Sequence, residues 1–208
     1  MIATLVFTCR KDRKLTPVCI ELLERHEHAR IILCDDADNP SGISGYPVVP
    51  WSMRGEGGWA GGVSRAIAAA HLLAPDCGTI ATVDSDIMVI DPGFFDLPEG
   101  VDARGCPRPR NQGWFSLRAF RAGLIESLQE ATGRQEDKII GEILKQSSSG
   151  AFIEDGKLFA SQKIHAPVDA LHRLGCHAIH VGQFTGDHQD RIKALKQAKN
   201  IRDQVAQA

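Results

Sequence analysis

The sequence predicts a single α/β domain built on a mostly parallel, doubly wound sheet. Short apolar, β-branched runs alternate with amphipathic helical stretches through the first half of the chain. Those runs lack the apolar-polar alternation of half-exposed strands, so they suit a sheet covered on both faces. One of them runs straight into Asp84-Ser85-Asp86, and open α/β sheets bind ligands outside the carboxyl ends of their strands.

The elements follow in order. Residues 2–9 (IATLVFTC) read as a first buried strand. Leu15, Val18, Cys19, Leu22 and Leu23 recur at helical spacing. Residues 30–34 (RIILC) form a second strand that ends in an acidic turn. Residues 46–51 (YPVVPW) give a third, whose two prolines confine it to an edge. A glycine-rich stretch leads to a helix over 63–73, and residues 78–83 (GTIATV) form the strand before the acidic triplet. Beyond Pro92 the pattern predicts a strand over 113–117, helices over 118–131 and 137–145, and a hairpin over 152–159 turning at Asp155-Gly156. A strand over 176–181 and a terminal amphipathic helix over 187–206 close the chain. No linker divides it, so residues 1–208 read as one domain with a ligand-binding half (1–97) and a second half (98–208).

Composition narrows the function classes. Formal net charge is −2 and no long basic block occurs, which argues against nucleic-acid binding driven by phosphate neutralisation. Six cysteines occur without a CxxC pair, arguing against a zinc knuckle or redox dithiol. Most sit in apolar runs, as reduced core thiols of a cytoplasmic protein do. No apolar run approaches the ~20 residues of a membrane span, and MIATLVF lacks the basic segment and cleavage site of a signal peptide.

Asp84 and Asp86, two residues apart at a strand end, project toward one side of the sheet. Hard oxygen donors there suit Mg²⁺ or Mn²⁺, which can bridge diphosphate oxygens. The competing reading is a solvated acidic turn.

Three elements in order carry a resemblance: Asp35-Asp36-Ala37-Asp38 after the second strand; Gly61-Gly62-Val63-Ser64-Arg65-Ala66-Ile67 opening a helix; and an apolar strand closing in Asp84-Ser85-Asp86, followed by Pro92 and Phe94. They resemble the nucleotide-sugar-binding half of the GT-A-fold glycosyltransferases, the inverting family-2 type above all, with Ala37 and Asp38 where that family has Gly-Ser. The resemblance implies a nucleotide-diphosphate-sugar donor, an acceptor that is a glycan, a lipid-linked sugar or a small molecule, and a bound Mn²⁺ or Mg²⁺. By it, Asp35 or Asp36 would hydrogen-bond the base or ribose; an Asp capping its own turn explains them equally. Arg65 would approach the diphosphate, with Arg10, Ser85 and Gly113 as further donor-site candidates, while Arg65 and Arg10 also read as ordinary surface cations.

The second half extends the resemblance. Gln135-Glu136-Asp137 is similar to the acidic element that supplies the base of inverting members, with Asp137 as base and Glu136 as its neighbour; acids in a helix's first turn also complement the macrodipole. Asn111-Gln112-Gly113-Trp114 resembles a strand that follows the metal motif, where Trp114 would stack on an acceptor sugar or fill the core. His177-Ala178-Ile179-His180 resembles the late histidine that completes the metal site. The two histidines face opposite ways in a strand, and His180 is the chosen ligand with His188 as fallback; an imidazole beside carboxylates favours Mn²⁺ over Mg²⁺. An aspartyl-phosphate phosphohydrolase, a sugar-1-phosphate nucleotidyltransferase and a non-catalytic nucleotide-binding module are the alternatives.

Overall fold

A computed structural model describes residues 1–52, 58–107, 114–124, 151–154, 158–160, 167–181 and 188–207. Elements are numbered in chain order among these. The first unit is β1 (Ile2–Thr8), α1 (Thr16–Leu23) and β2 (Ala29–Asp36). Every residue of β1 is buried, as its uninterrupted apolar run requires. Pro17 stands near the start of α1, where a missing N–H costs nothing. β3 (Val48–Trp51) pairs with β2 and ends the sheet, so Pro50 sits on an edge as expected. α2 (Gly58–Leu73) begins five residues before the predicted Val63, taking in part of the glycine-rich stretch. It leads to β4 (Thr79–Asp84).

The large sheet has seven strands in the order β3-β2-β1-β4-β7-β6-β8. β6 is Val101–Pro107, β7 Trp114–Arg121 and β8 Ala151–Glu154. β1, β2, β3 and β4 are mutually parallel. β7 runs against both β4 and β6, and β8 is parallel to β6, so one strand of seven opposes the rest. The mostly parallel expectation holds.

Two predicted elements are corrected. Residues 118–121 belong to β7, not to a helix. β7 fills the gap between β4 and β6, and Leu117 to Phe120 are all buried; pairing on both sides overrides local helix propensity. The 152–159 hairpin does not form either. β8 joins the large sheet, while β9 (Leu158–Ala160) lies in a second, three-stranded sheet of order β5-β10-β9. With partners in different sheets, the two strands share no ladder. The predicted helix over 137–145 lies outside the described residues.

The small sheet is built from β5 (Ile87–Val89), β10 (Ala178–His180) and β9. Helices α3 (Val168–Arg173) and α4 (His188–Gln207) complete the described elements. One core lies between α1, α3, α4, the small sheet and one face of β1 and β4, and includes Val6, Leu22, Phe94 and Ile201. The other packs α2 on the opposite face through Val63, Ala66, Ile67 and Ala70 against Leu5, Ile32 and Ile80. Helices therefore cover both faces, which makes the sheet doubly wound.

Candidate metal and nucleotide site

The chain leaves β1 through α1 on one face and reaches β4 through α2 on the other. The C-terminal edge between these neighbouring strands is thus a topological switch point, where a crevice opens by construction. A pocket of about 140 Å³ occupies it. Phe7, Thr8, Cys9 and Asp12 line it from the end of β1 and the loop beyond, Trp51 from the end of β3, and Asp84, Ser85 and Asp86 from the end of β4. His180 completes the lining.

The acidic triplet is the passage between the two sheets. Asp84 is the last residue of β4, in register with Phe7 of β1. Ser85 is buried, and its N–H donates to the Phe7 carbonyl at 3.0 Å. Asp86 precedes β5, and its carbonyl accepts from the Val181 N–H at 2.9 Å. Ile87 then pairs with His180 across the small sheet. This antiparallel pairing carries the late histidine to the acidic motif: His180 Nε2 lies 3.2 Å from Asp86 Oδ2. An octahedral ion with ~2.1 Å bonds spaces adjacent ligands at about 3 Å, so this pair stands at the separation of two ligands of one ion. Among the described residues, no three His, Cys, Asp or Glu side chains close on a common point. Asp84 faces the same pocket without completing the set.

The surroundings tune these groups. Phe7 and Trp51 meet edge to face at 5.5 Å and form an apolar wall. The buried Trp51 Nε1–H has no hydrogen-bond partner among the described residues. Beneath the triplet, the Cys19 thiol donates to the Ile87 carbonyl at 3.3 Å. Burial first, then the charges of Asp86 and Asp84, push that thiol's pKa up, so it stays protonated. Cys9 is likewise pushed up, by burial and then by Asp12, which accepts its S–H at 3.4 Å. Neither thiol is a thiolate donor. Two carboxylates and one imidazole line the pocket, and these are donor types that suit a divalent ion such as Mn²⁺ or Mg²⁺.

His177 serves a different contact. Its Nδ1 lies 2.8 Å from Asp91 Oδ2 and its Nε2 lies 3.1 Å from Arg104 Nη2. Arg104 can only donate, so Nε2 accepts and Nδ1–H donates to the carboxylate. The hydrogen bond from His177 is the main cause holding the Asp91 carboxyl below its ordinary range. Arg104 also stacks over the Phe94 ring at 4.6 Å and donates to the Phe94 carbonyl. This staple joins β6, the turn after β5 and the segment before β10.

No protein-family model matches the sequence, and no curated protein matches it. Solved structures do. A glycosyltransferase involved in glycosylating the major capsid of PBCV-1 superposes with a TM-score of 0.60 at 14% identity, over 95% of this chain and 98% of that one. Rv0371C of Mycobacterium tuberculosis H37Rv, crystallised with manganese, gives 0.53 at 13% identity, over 94% and 97%. The catalytic domain of Drosophila β1,4-galactosyltransferase 7 gives 0.53 at 11% identity, over 90% and 73%.

The fold is that of the GT-A glycosyltransferases. Within this GT-A frame, the predicted donor-site residues fall in two groups. Ser85 lies in the pocket; Asp35 and Asp36, both buried, do not line it. Both oxygens of Asp35 accept from the Ser41 N–H (2.9 and 3.0 Å), and Oδ2 takes the Ser41 hydroxyl at 2.8 Å. Asp36 accepts from the Asp38 N–H at 3.1 Å. These are the contacts of aspartates capping their own turn. Asp36 also pairs with Trp51 across β2 and β3, one step from the pocket. Arg10 is exposed, its N–H tied to the Asn39 carbonyl, and Arg65 stands exposed on α2. Trp114 opens β7 opposite Pro107, and His188 opens α4. Gly113, Glu136 and Asp137 lie outside the described residues. Sequence reasoning missed Trp51, Asp12 and Cys9. Each sits at or just past the carboxyl end of a parallel strand, and that position was the available signal.

Proposed function

We propose that this chain is a metal-dependent glycosyltransferase that moves a sugar from a nucleotide-diphosphate donor to an acceptor hydroxyl. The observation that carries this reading is the meeting of Asp84, Asp86 and His180 in one pocket at the switch point of a GT-A sheet. Among the neighbours, Drosophila β1,4-galactosyltransferase 7 has been crystallised with manganese, UDP-Gal and xylobiose, at a TM-score of 0.52 and 10% identity.

The carboxylates of Asp84 and Asp86 and the imidazole of His180 would hold Mn²⁺ or Mg²⁺. Such an ion, when bound, neutralises diphosphate oxygens and stabilises the departing nucleotide. Phe7 and Trp51 keep one side of the pocket apolar, which strengthens every charge interaction within it. Asp137, with Glu136 beside it, is the proposed base. It takes the acceptor hydroxyl proton while that oxygen bonds to the anomeric carbon and the carbon–phosphate-oxygen bond breaks on the opposite face, inverting the centre. Asp35, Asp36, Arg65, Arg10 and Gly113 remain donor-side candidates, and Trp114 an acceptor-side one.

A calorimetric panel of UDP, GDP, CDP and dTDP with and without Mn²⁺ tests the reading. One nucleotide should bind, and only with metal; metal-independent binding or none would defeat it. Asp137→Asn should abolish transfer and leave nucleotide affinity within about twofold, because a base acts on the transition state rather than the bound donor. Equal loss of both would remove Asp137 from that role.

A further inference from the structure

A second cleft, of about 330 Å³, opens between the loop after β1 and α4. Its size is that of a small-molecule site. Leu15, Ile192 and Leu195 form its apolar part, and Ile192 is 58% exposed. Around them stand Lys11, Arg13, Lys14 and Arg191. Arg191 is held by Asp12, its Nη1 at 2.5 Å from Oδ1. Lys11, Arg13 and Lys14 are exposed and make no ion pair among the described residues. The cleft is therefore a local positive surplus in a chain of formal net charge −2. Asp12 lines the pocket of Asp84 and Asp86, and its contact with Arg191 links that pocket's wall to the cleft's.

We propose that this cleft binds a lipid phosphate. The head group lies among Lys11, Arg13 and Lys14, which supply charge-assisted donors to phosphate oxygens. The aliphatic chain covers Leu15, Ile192 and Leu195. An inorganic anion leaves that apolar surface wet, and a neutral lipid leaves three cations unpaired; a phosphorylated amphiphile satisfies both halves. The binding site stands independently of the proposed transferase reading.

Titration of the full chain with dodecyl phosphate below its micelle concentration tests the site, with inorganic phosphate and dodecyl maltoside as comparisons. Dodecyl phosphate should bind at least about tenfold more tightly than either, and more weakly as salt rises. The doubly substituted Arg13→Glu/Lys14→Glu chain and the Ile192→Asp chain should each lose about tenfold or more while melting as the parent does, because all three positions are exposed. Maltoside binding as tight as dodecyl phosphate, or unchanged affinity in both variants, would overturn the proposal. Sedimentation with phosphatidylcholine vesicles, with and without phosphatidic acid, separates the sources. Pelleting that needs phosphatidic acid and fails in the variants puts the ligand in a bilayer; monomer binding without pelleting puts it in solution. If dodecyl phosphate binds but no nucleotide does, the transferase reading falls and the cleft stands. If a nucleotide binds with metal but dodecyl phosphate does not, the reverse holds.

Discussion

Gly62 illustrates what a single residue must do for this site. It lies buried in the first turns of α2, and a Cβ there would collide with the Ser52 carbonyl oxygen, whose residue follows Trp51 directly. The absent side chain lets the helix come close to the strand end that walls the pocket. Gly62→Ala should therefore cost roughly 1–3 kcal/mol by overpacking, read as a lower denaturant midpoint at unchanged slope. A fully stable variant would show that the contact relaxes freely. The glycine was visible in the sequence as part of a helix-opening motif. Its reason was not, because the collision partner is Ser52, just past the end of β3, beyond any local pattern.

At the scale of elements, β10 depends on what precedes it. α3 ends in a Schellman motif: the Gly175 N–H donates to the His172 carbonyl and the Cys176 N–H to that of Leu171, with Gly175 at a φ of 74°. The chain then passes through His177, pinned between Asp91 and Arg104, before reaching His180. Because Asp91 is held below the ordinary carboxylate range, its contribution is complete above about pH 4 and is lost as pH falls through its lowered value. Asp91→Asn should destabilise the chain by about 1–2 kcal/mol near pH 6, with the gap closing in more acidic solution. A pH-independent gap would contradict this account of the staple. Periodicity caught β10 itself. It could not show that β10 pairs with β5, because that ladder joins residues nearly a hundred positions apart.

At the scale of the whole molecule, the parallel half of the sheet was legible because strands buried on both faces advertise themselves as unbroken apolar runs. β7 and the split between β8 and β9 were not. Their identity comes from partners in two sheets, and the stretch around Arg118 reads locally as a helix. The candidate site was legible in the same uneven way. Asp84 and Asp86 stand out at a strand end, and His180 was chosen from its small-residue context; Trp51, Asp12 and Cys9 are ordinary residues until the switch point gathers them. No helix among the described residues is long and apolar enough to cross a membrane.

The central claim is that one divalent ion is held jointly from β4, the turn after it and β10. Electron paramagnetic resonance of bound Mn²⁺, with nitrogen hyperfine coupling as readout, tests it most directly. The account predicts one tight site in the presence of nucleotide diphosphate, a nitrogen coupling that disappears in His180→Ala, and affinity lost by at least about a hundredfold in Asp86→Asn. Undiminished binding in Asp86→Asn, or a nitrogen coupling that survives in His180→Ala, would contradict it.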